Sequence, residues 1–376
     1  MCLLLRCALL RLRSDYGILP ALLLSVGVVF NVIGERQRIT AEQVPTATPP
    51  LAVTVATESP MTAIGQPRLF RRTRPPRSGQ SQAGPAETVA PSTSTSSKGD
   101  TKTPDGSKPA FIGLLEKNGE PIALQTAIAA YRPQPKADKI PADLQVDLVG
   151  VIHLGEKAYY EKLNDLLAKY DVVLYELVAP EGTRVPQGGG QSSHPISFLQ
   201  RGMSAVLGLT YQLSVIDYHR DNFVHADLSP EEFAKSMEER GESLWAMVLR
   251  SMGYQMAKNA SGNAKVSDAD LLAAFFSKNR NLELKRAFAR QLAEDPEGQI
   301  QALEGPQGST LIAGRNERVL QVLQREIAKG HRKIAIFYGA GHMPHFHDRL
   351  TEIGLQVAKT RWLNAWDLRD PAETTR

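Results

Sequence analysis

From residue 109 onward, apolar positions recur at two spacings, every second residue and every third or fourth, and the switches between them mark out the elements. AFIGLLEKNGEPIALQTAIAAYRP (110–133) carries apolar runs on both sides of Lys117-Asn118-Gly119-Glu120, and Asn-Gly in that setting predicts a β-hairpin. LQVDLVGVI (144–152) is almost continuously apolar, as in a strand covered on both faces. GEKAYYEKLNDLLAKY (155–170) then places Tyr159, Leu163, Leu166, Leu167 and Tyr170 on one face of a helix, and DVVLYELV (171–178) returns to strand. The unit is β–α–β, so its strands are expected to run parallel with a right-handed crossover.

The same order recurs near the C-terminus. RVLQVLQREIAKG (318–330) is an amphipathic helix closed by Gly330, KIAIFYGAG (333–341) a strand with a glycine-rich end, HMPHFHDRLTEIG (342–354) a shorter helix, and LQVAKTRWL (355–363) another strand. DLVGVIH (147–153) and IFYGAGH (336–342) are the same phrase twice: strand, Gly-x-x-His, helix, strand. The pattern predicts an α/β fold (α+β as the alternative) with a central sheet made of two related β–Gly-x-x-His–α–β halves. Between them, about 200–312, the chain reads as a helical insertion. Its helices are SLWAMVLRSMGYQMAKN (243–259), DADLLAAFFSKN (268–279) and LELKRAFARQLAED (282–295), and Ser229-Pro230-Glu231-Glu232 forms a capping box that starts a further one. PEGTRVPQGGGQSSHP (180–195) reads as a loop placed to act as a lid.

The N-terminal third follows a different grammar. Residues 17–34, GILPALLLSVGVVFNVIG, contain no charge and have arginines on both flanks. Eighteen residues at ~1.5 Å each just cross a hydrocarbon core of ~30 Å. Residues 1–35 are therefore read as an uncleaved single-span anchor with the following domain extracytoplasmic. The alternatives are a cleaved export signal or a misassigned start codon. Residues 36–108, rich in Pro, Ser and Thr, have too little apolar content to fold and are read as a disordered linker. The folded domain is thus 109–376.

Charge and cysteine use narrow the options. A pI near 8.9 describes the whole chain, yet residues 1–108 hold 13 Lys and Arg against 7 Asp and Glu, and the other 268 residues hold 31 against 33. The folded part is slightly acidic and gives no electrostatic case for nucleic acid. Both cysteines, Cys2 and Cys7, precede the apolar run, so a disulfide framework and a Cys-ligated zinc are excluded from the folded domain. All eight histidines follow residue 150.

Parallel sheets gather functional groups outside the C-terminal ends of their strands. His153 follows the first strand, Glu176 stands late in the second and His342 follows the later one, so parallel neighbours would bring all three to one edge. Gly150, Gly339 and Gly341 would let the backbone turn tightly and approach a ligand. Two imidazoles and a carboxylate suit either a 2-His-1-carboxylate metal site or metal-free catalysis with one histidine as general base. Arg315, at a helix start, could hold a substrate carboxylate or stabilise an oxyanion. Arg318, one turn along, reads as surface; of His345 and His347, which follow His342 on a short helix, His345 reads as solvent-facing, with a third imidazole of the centre as the alternative.

These residues carry a resemblance. VDLVGVIHLGEKAYYEKLNDLLAKYDVVLYELV, followed downstream by GRNERVLQVLQ and IAIFYGAGHMPHF, resembles the TraB/PrgY/GumN family, which is related to the TIKI metalloproteases and more distantly to erythromycin-esterase-like and ChaN-like proteins. The resemblance covers about 110–365. It implies two related halves and a hydrolase centre of Gly150, His153, Glu176, Arg315, Asn316, Gly339 and His342. Its cofactor would be a divalent metal (Mn, Co or Zn) held by His153, Glu176 and His342 as in the peptidase relatives, or none as in the esterase relatives. Tyr211-Gln212 and the segment 218–227 are also family-like, which suggests Gln212, His225 and Asp227 as supports behind the centre. The expected activity is peptidase- or esterase-like hydrolysis on a membrane-tethered domain. The alternative is a module that binds a peptide or small molecule without turnover.

Overall fold

The computed structural model describes residues 109–370 apart from 136, 138, 181, 184–201, 263, 306 and 307. The expected anchor, the linker and most of the 180–195 loop lie outside the described residues. A mixed seven-stranded sheet forms the centre, which makes the fold a mixed α/β one. Strands β1 (Ile112–Lys117) and β2 (Glu120–Pro133) are the anticipated hairpin. Asn118 and Gly119 both have positive φ, 54° and 80°, the two-residue turn whose twist matches that of the strands.

Strand β3 (Gln145–Val151) pairs antiparallel with β2. After the two-residue strand β4 (Leu154–Gly155) come helix α1 (Lys157–Leu167) and strand β5 (Val172–Tyr175). A two-residue strand β6 (Thr210–Tyr211) pairs with β4, and β7 (Phe223–His225) joins the main sheet. Strand β8 (Lys333–Gly339) runs parallel to both β3 and β5 and lies between them, and β7 is parallel to β5. The two strands of the first β–α–β unit are therefore parallel but not adjacent. In the second unit, β9 (Leu355–Asp367) leaves the parallel group and pairs antiparallel with β2. One edge of β2 serves β9 along 123–133, and the other serves β1 and then β3.

The continuous apolar character of β3 and β8 follows from cover on both faces. Val149, Val151, Ala335, Phe337 and Val173 pack in one cluster with Tyr159, Tyr160, Leu163 and Leu167 of α1. The alternate residues Leu148, Leu174, Ile336 and Tyr338 are also fully buried, on the opposite side. Helices α7 (Arg315–Ala328) and α8 (Met343–Glu352) contact β5 and β3 respectively. Leu166, placed on the buried face of α1 by periodicity, is only half-buried, and Tyr160 is buried.

The insertion contains α2 (Pro230–Glu239), α3 (Leu244–Ala260), α4 (Asp268–Phe276), α5 (Arg280–Glu294) and α6 (Pro296–Glu304). The Ser229 capping box is complete, with Ser229 Oγ accepting from Glu232 N and the Glu232 carboxylate accepting from Ser229 N. Helix α6 was not anticipated; Asp295 caps it by accepting from Gly298 N, and Pro296 sits in its first turn. Among the described residues no helix is long and apolar enough to cross a membrane.

Candidate functional site

Strands β3, β8, β5 and β7 are parallel, so their carboxyl ends lie on one edge. Just beyond those ends come His153, the turn Ala340–His342, Glu176 and Asp227. Strand β5 stops at Tyr175, three residues short of the sequence expectation, and this puts Glu176 just past the strand's end with its side chain facing the edge. The fourth strand, β7, lies within the 218–227 segment, and Asp227 follows just past its end.

Both histidines are gripped at two points by an amide residue. Asn316, the second residue of α7, donates from Nδ2 to the His342 carbonyl at 3.1 Å, which turns its Oδ1 toward His342 Nδ1 at 2.6 Å. That oxygen can only accept, so Nδ1 carries the proton and Nε2 presents a lone pair. Gln212 repeats the arrangement: its backbone N–H donates to the His153 carbonyl at 2.9 Å, and its Oε1 accepts from His153 Nδ1 at 3.1 Å. Gln212 Nε2 in turn donates to Tyr218 Oη at 2.8 Å.

The lone pair of His342 Nε2 faces Glu176 Oε1 at 3.6 Å. Glu176 Oε1 also takes Arg315 Nη2 at 2.9 Å, and its Oε2 accepts from Gly339 N at 2.6 Å. Arg315, fully buried, forks onto Asp227 with Nε at 2.9 Å and Nη2 at 2.5 Å. Asp227 also accepts from the backbone N–H of Leu177 at 3.0 Å, while His225 Nε2 donates to the Leu177 carbonyl at 2.6 Å. The residue after Glu176 is thus held by both of its backbone polar groups. Arg315 Nη1 is buried and has no acceptor among the described residues.

This network sets the charges. Burial opposes ionisation of Glu176, but Arg315, the two imidazoles and the Gly339 N–H outweigh it and bring the carboxyl to about 2. Burial would lower the Arg315 pKa; Asp227 and Glu176 drive it well above its usual value. Burial is also the leading influence on His342, lowering it to about 4 against the partial opposition of Glu176. His342 is therefore a neutral imidazole near pH 7.

The glycines act by space rather than by special backbone angles, since none of Gly150, Gly339 and Gly341 has positive φ. A Cβ at Gly339 would stand 3.2 Å from Glu176 Oε2, 3.7 Å from His342 Cδ2 and 3.8 Å from His153 Nε2. The missing methyl leaves a small space bounded by all three side chains. At Gly150 a Cβ would meet the Ala127 carbonyl at 3.3 Å, and at Gly341 it would meet Ile300 Cδ1 at 2.6 Å; these two serve packing.

One histidine, His345, differs from expectation. His345 is half-buried, with its Nδ1 3.2 Å from Asn316 Nδ2, and His347 Nδ1 is 2.7 Å from Tyr131 Oη. Arg318 pairs with Glu232 and is half-buried rather than fully on the surface. Among the described residues no group of three or more His, Cys, Asp and Glu side chains is placed to hold a metal ion. The two histidines and Glu176 supply suitable donor types, but Arg315 Nη2 and the Gly339 N–H already engage both oxygens of the carboxylate, so the site as built does not fit a divalent ion. Sequence reasoning paired no residue with Arg315, although Asp227 was in view. Comparison of the chain with family models, curated proteins and solved structures found no match.

Proposed function

We propose that the domain is a hydrolase of the esterase or peptidase type in which water, activated by an imidazole, attacks a carbonyl carbon. One observation carries the reading: two imidazoles, each with Nδ1 engaged by an amide oxygen, share with a buried carboxylate the small space over Gly339. A water there is within reach of His153 Nε2, and His153 is the partly accessible member of the group. His153 Nε2 takes the proton as the water oxygen adds to the carbonyl carbon. Glu176 offsets the positive charge formed on the ring, and the imidazolium then returns the proton to the departing alkoxide or amine.

Arg315 Nη1 is the nitrogen left to meet the carbonyl oxygen as it becomes anionic. Charge favours one of the two roles considered for this residue. Glu176 and Asp227 against Arg315, with His342 neutral, leave a net charge of about −1, which favours a neutral carbonyl over a preformed carboxylate.

The family resemblance, the two related halves and the membrane tether belong to the same proposal. The matching grips of Asn316 on His342 and Gln212 on His153 support a duplicated unit. Residues 17–34 would anchor the domain on the extracytoplasmic side, or direct its export before cleavage, and the ligand would be a peptide or small molecule.

The test is a screen of p-nitrophenyl esters and fluorogenic peptides with wild type, His153→Ala, His342→Ala and Glu176→Gln. Turnover is expected to fall about 10²–10⁴-fold in each variant and to survive EDTA. Loss with EDTA and recovery with Mn, Co or Zn would put the metal arrangement of the resemblance in its place. No wild-type turnover, with peptide binding that persists in Glu176→Gln, would leave the binding module as the function.

A further inference from the structure

The first Gly-x-x-His turn is held through its carbonyl oxygens. The Gly150 carbonyl accepts from Tyr159 Oη at 3.4 Å, and the Ile152 carbonyl accepts from Tyr160 Oη at 2.8 Å. The His153 carbonyl accepts from Gln212 N at 2.9 Å, and the Leu154 carbonyl from Trp366 Nε1 at 2.6 Å. Beside them Glu156 N donates to the Ala365 carbonyl at 2.9 Å, and the Glu156 carboxylate pairs with Lys285 of α5 at 2.7 Å. Tyr160 and Trp366 are both buried, so each of these donors acts away from water.

The second turn shares one of these supports. The His342 carbonyl is satisfied by Asn316, the residue that also holds the ring, so backbone and side chain are fixed from one place. At His153 Gln212 likewise holds both the ring and the carbonyl, but the backbone on either side, residues 152 and 154, depends on a phenol and an indole. Gln212 limits rotation of the ring; the place from which the ring swings is set by the 152–154 backbone. A displacement of about 0.5 Å is enough to spoil a site of this kind.

We infer that Trp366 and Tyr160 are positioning residues for His153, acting through the Leu154 and Ile152 carbonyls to keep its Nε2 turned to Glu176. Trp366 lies beyond the segment that carries the resemblance, at the next-to-last residue of β9, a strand that pairs with β2 on the side away from β8. The C-terminal strand thereby fixes a histidine more than two hundred residues earlier in the chain. The inference rests on the reading of His153 as the base, and it adds residues outside the catalytic group.

The test uses the full chain with ¹⁵N-labelled histidine and long-range ¹H–¹⁵N spectra at pH 8, with the His153 ring assigned from its loss in His153→Gln. In wild type the ring is expected as a single Nδ1–H form. In Trp366→Phe and in Tyr160→Phe, which removes one hydroxyl and leaves the ring to pack, the two nitrogen shifts of His153 are expected to move toward each other as Nδ1 loses Gln212. The shifts of His342 are expected to stay in place. Unchanged His153 shifts in both variants overturn the inference, and so does an equal movement at His342, which would report general loosening. Where the ester screen gives turnover, kcat is expected to fall about tenfold with little change in KM. The spectra need no turnover, so failure of the hydrolase reading and failure of this one are separable.

Discussion

The Arg315–Asp227 fork is the feature whose removal should be felt most widely. Both side chains are fully shielded from water, and Arg315 stands between two carboxylates. Changing Asp227 to Asn leaves a buried guanidinium with Glu176 as its counter-charge and turns an amide N–H toward a donor. Changing Arg315 to Met leaves two buried carboxylates without their cation. Removing one partner of such a pair costs about 3–5 kcal/mol. With a urea m-value of about 2–3 kcal/mol/M, each single variant should lower the unfolding midpoint by about 1–2 M. The double variant should be less destabilised than the sum of the two, by about 2 kcal/mol, because each change removes the reason the other is harmful. The assay is urea unfolding followed by far-UV circular dichroism at pH 7.5, where the m-values also test whether the transition stays two-state. Additivity within about 0.5 kcal/mol would refute the reasoning, because the two side chains would then be acting independently.

Four further outcomes follow from the structure. Because the folded pKa of His342 is depressed, the unfolded chain binds the extra proton, and this contribution is complete above pH 6.5 and lost as the pH falls toward 4. The loss is on the order of 3 kcal/mol, visible as a falling urea midpoint that His342→Gln should flatten; a level midpoint between pH 7 and 4.5 contradicts it. Below pH 4.5 the depressed Glu176 adds a second loss in the same direction. Gly339→Ala should fold yet lose hydrolysis by about 100-fold or more, since its methyl would fill the space above the carboxylate. Gly341→Ala should instead cost about 1–3 kcal/mol of stability, recovered when Ile300 is also made Ala; no recovery would show that the clash lies elsewhere. Ser229→Ala should lower stability by about 1 kcal/mol and Ser229→Thr by less, with thermal unfolding as the check.

Several elements were legible residue by residue. Asn118-Gly119 sets the hairpin because both residues tolerate the left-handed angles that the turn imposes, and Ser229 with Glu232 sets a helix start because each satisfies the other's backbone donor. His153 and His342 could be placed at strand ends because the apolar runs stop just before them. The boundary at Glu176 was harder: ELV after VVLY keeps the β pattern, and only the end of pairing with β8 and β7 terminates the strand at Tyr175. Helix α6 was hidden by Asp295-Pro296, which reads as a break and acts as a cap.

What the chain determined unaided is therefore local: the hairpin, the capped helices, the two Gly-x-x-His turns and the faces that each element buries. These depend on neighbours within a few residues, where side-chain size, period and hydrogen-bonding groups leave little choice. The tertiary structure alone decided that β8 lies between β3 and β5, that β9 turns away to β2, and that Asp227 meets Arg315 across 88 residues of chain. Periodicity specifies which face of a strand is apolar but not which edge meets which. The buried charges, in turn, acquired partners and shifted pKa values only once the sheet had brought four strand ends together.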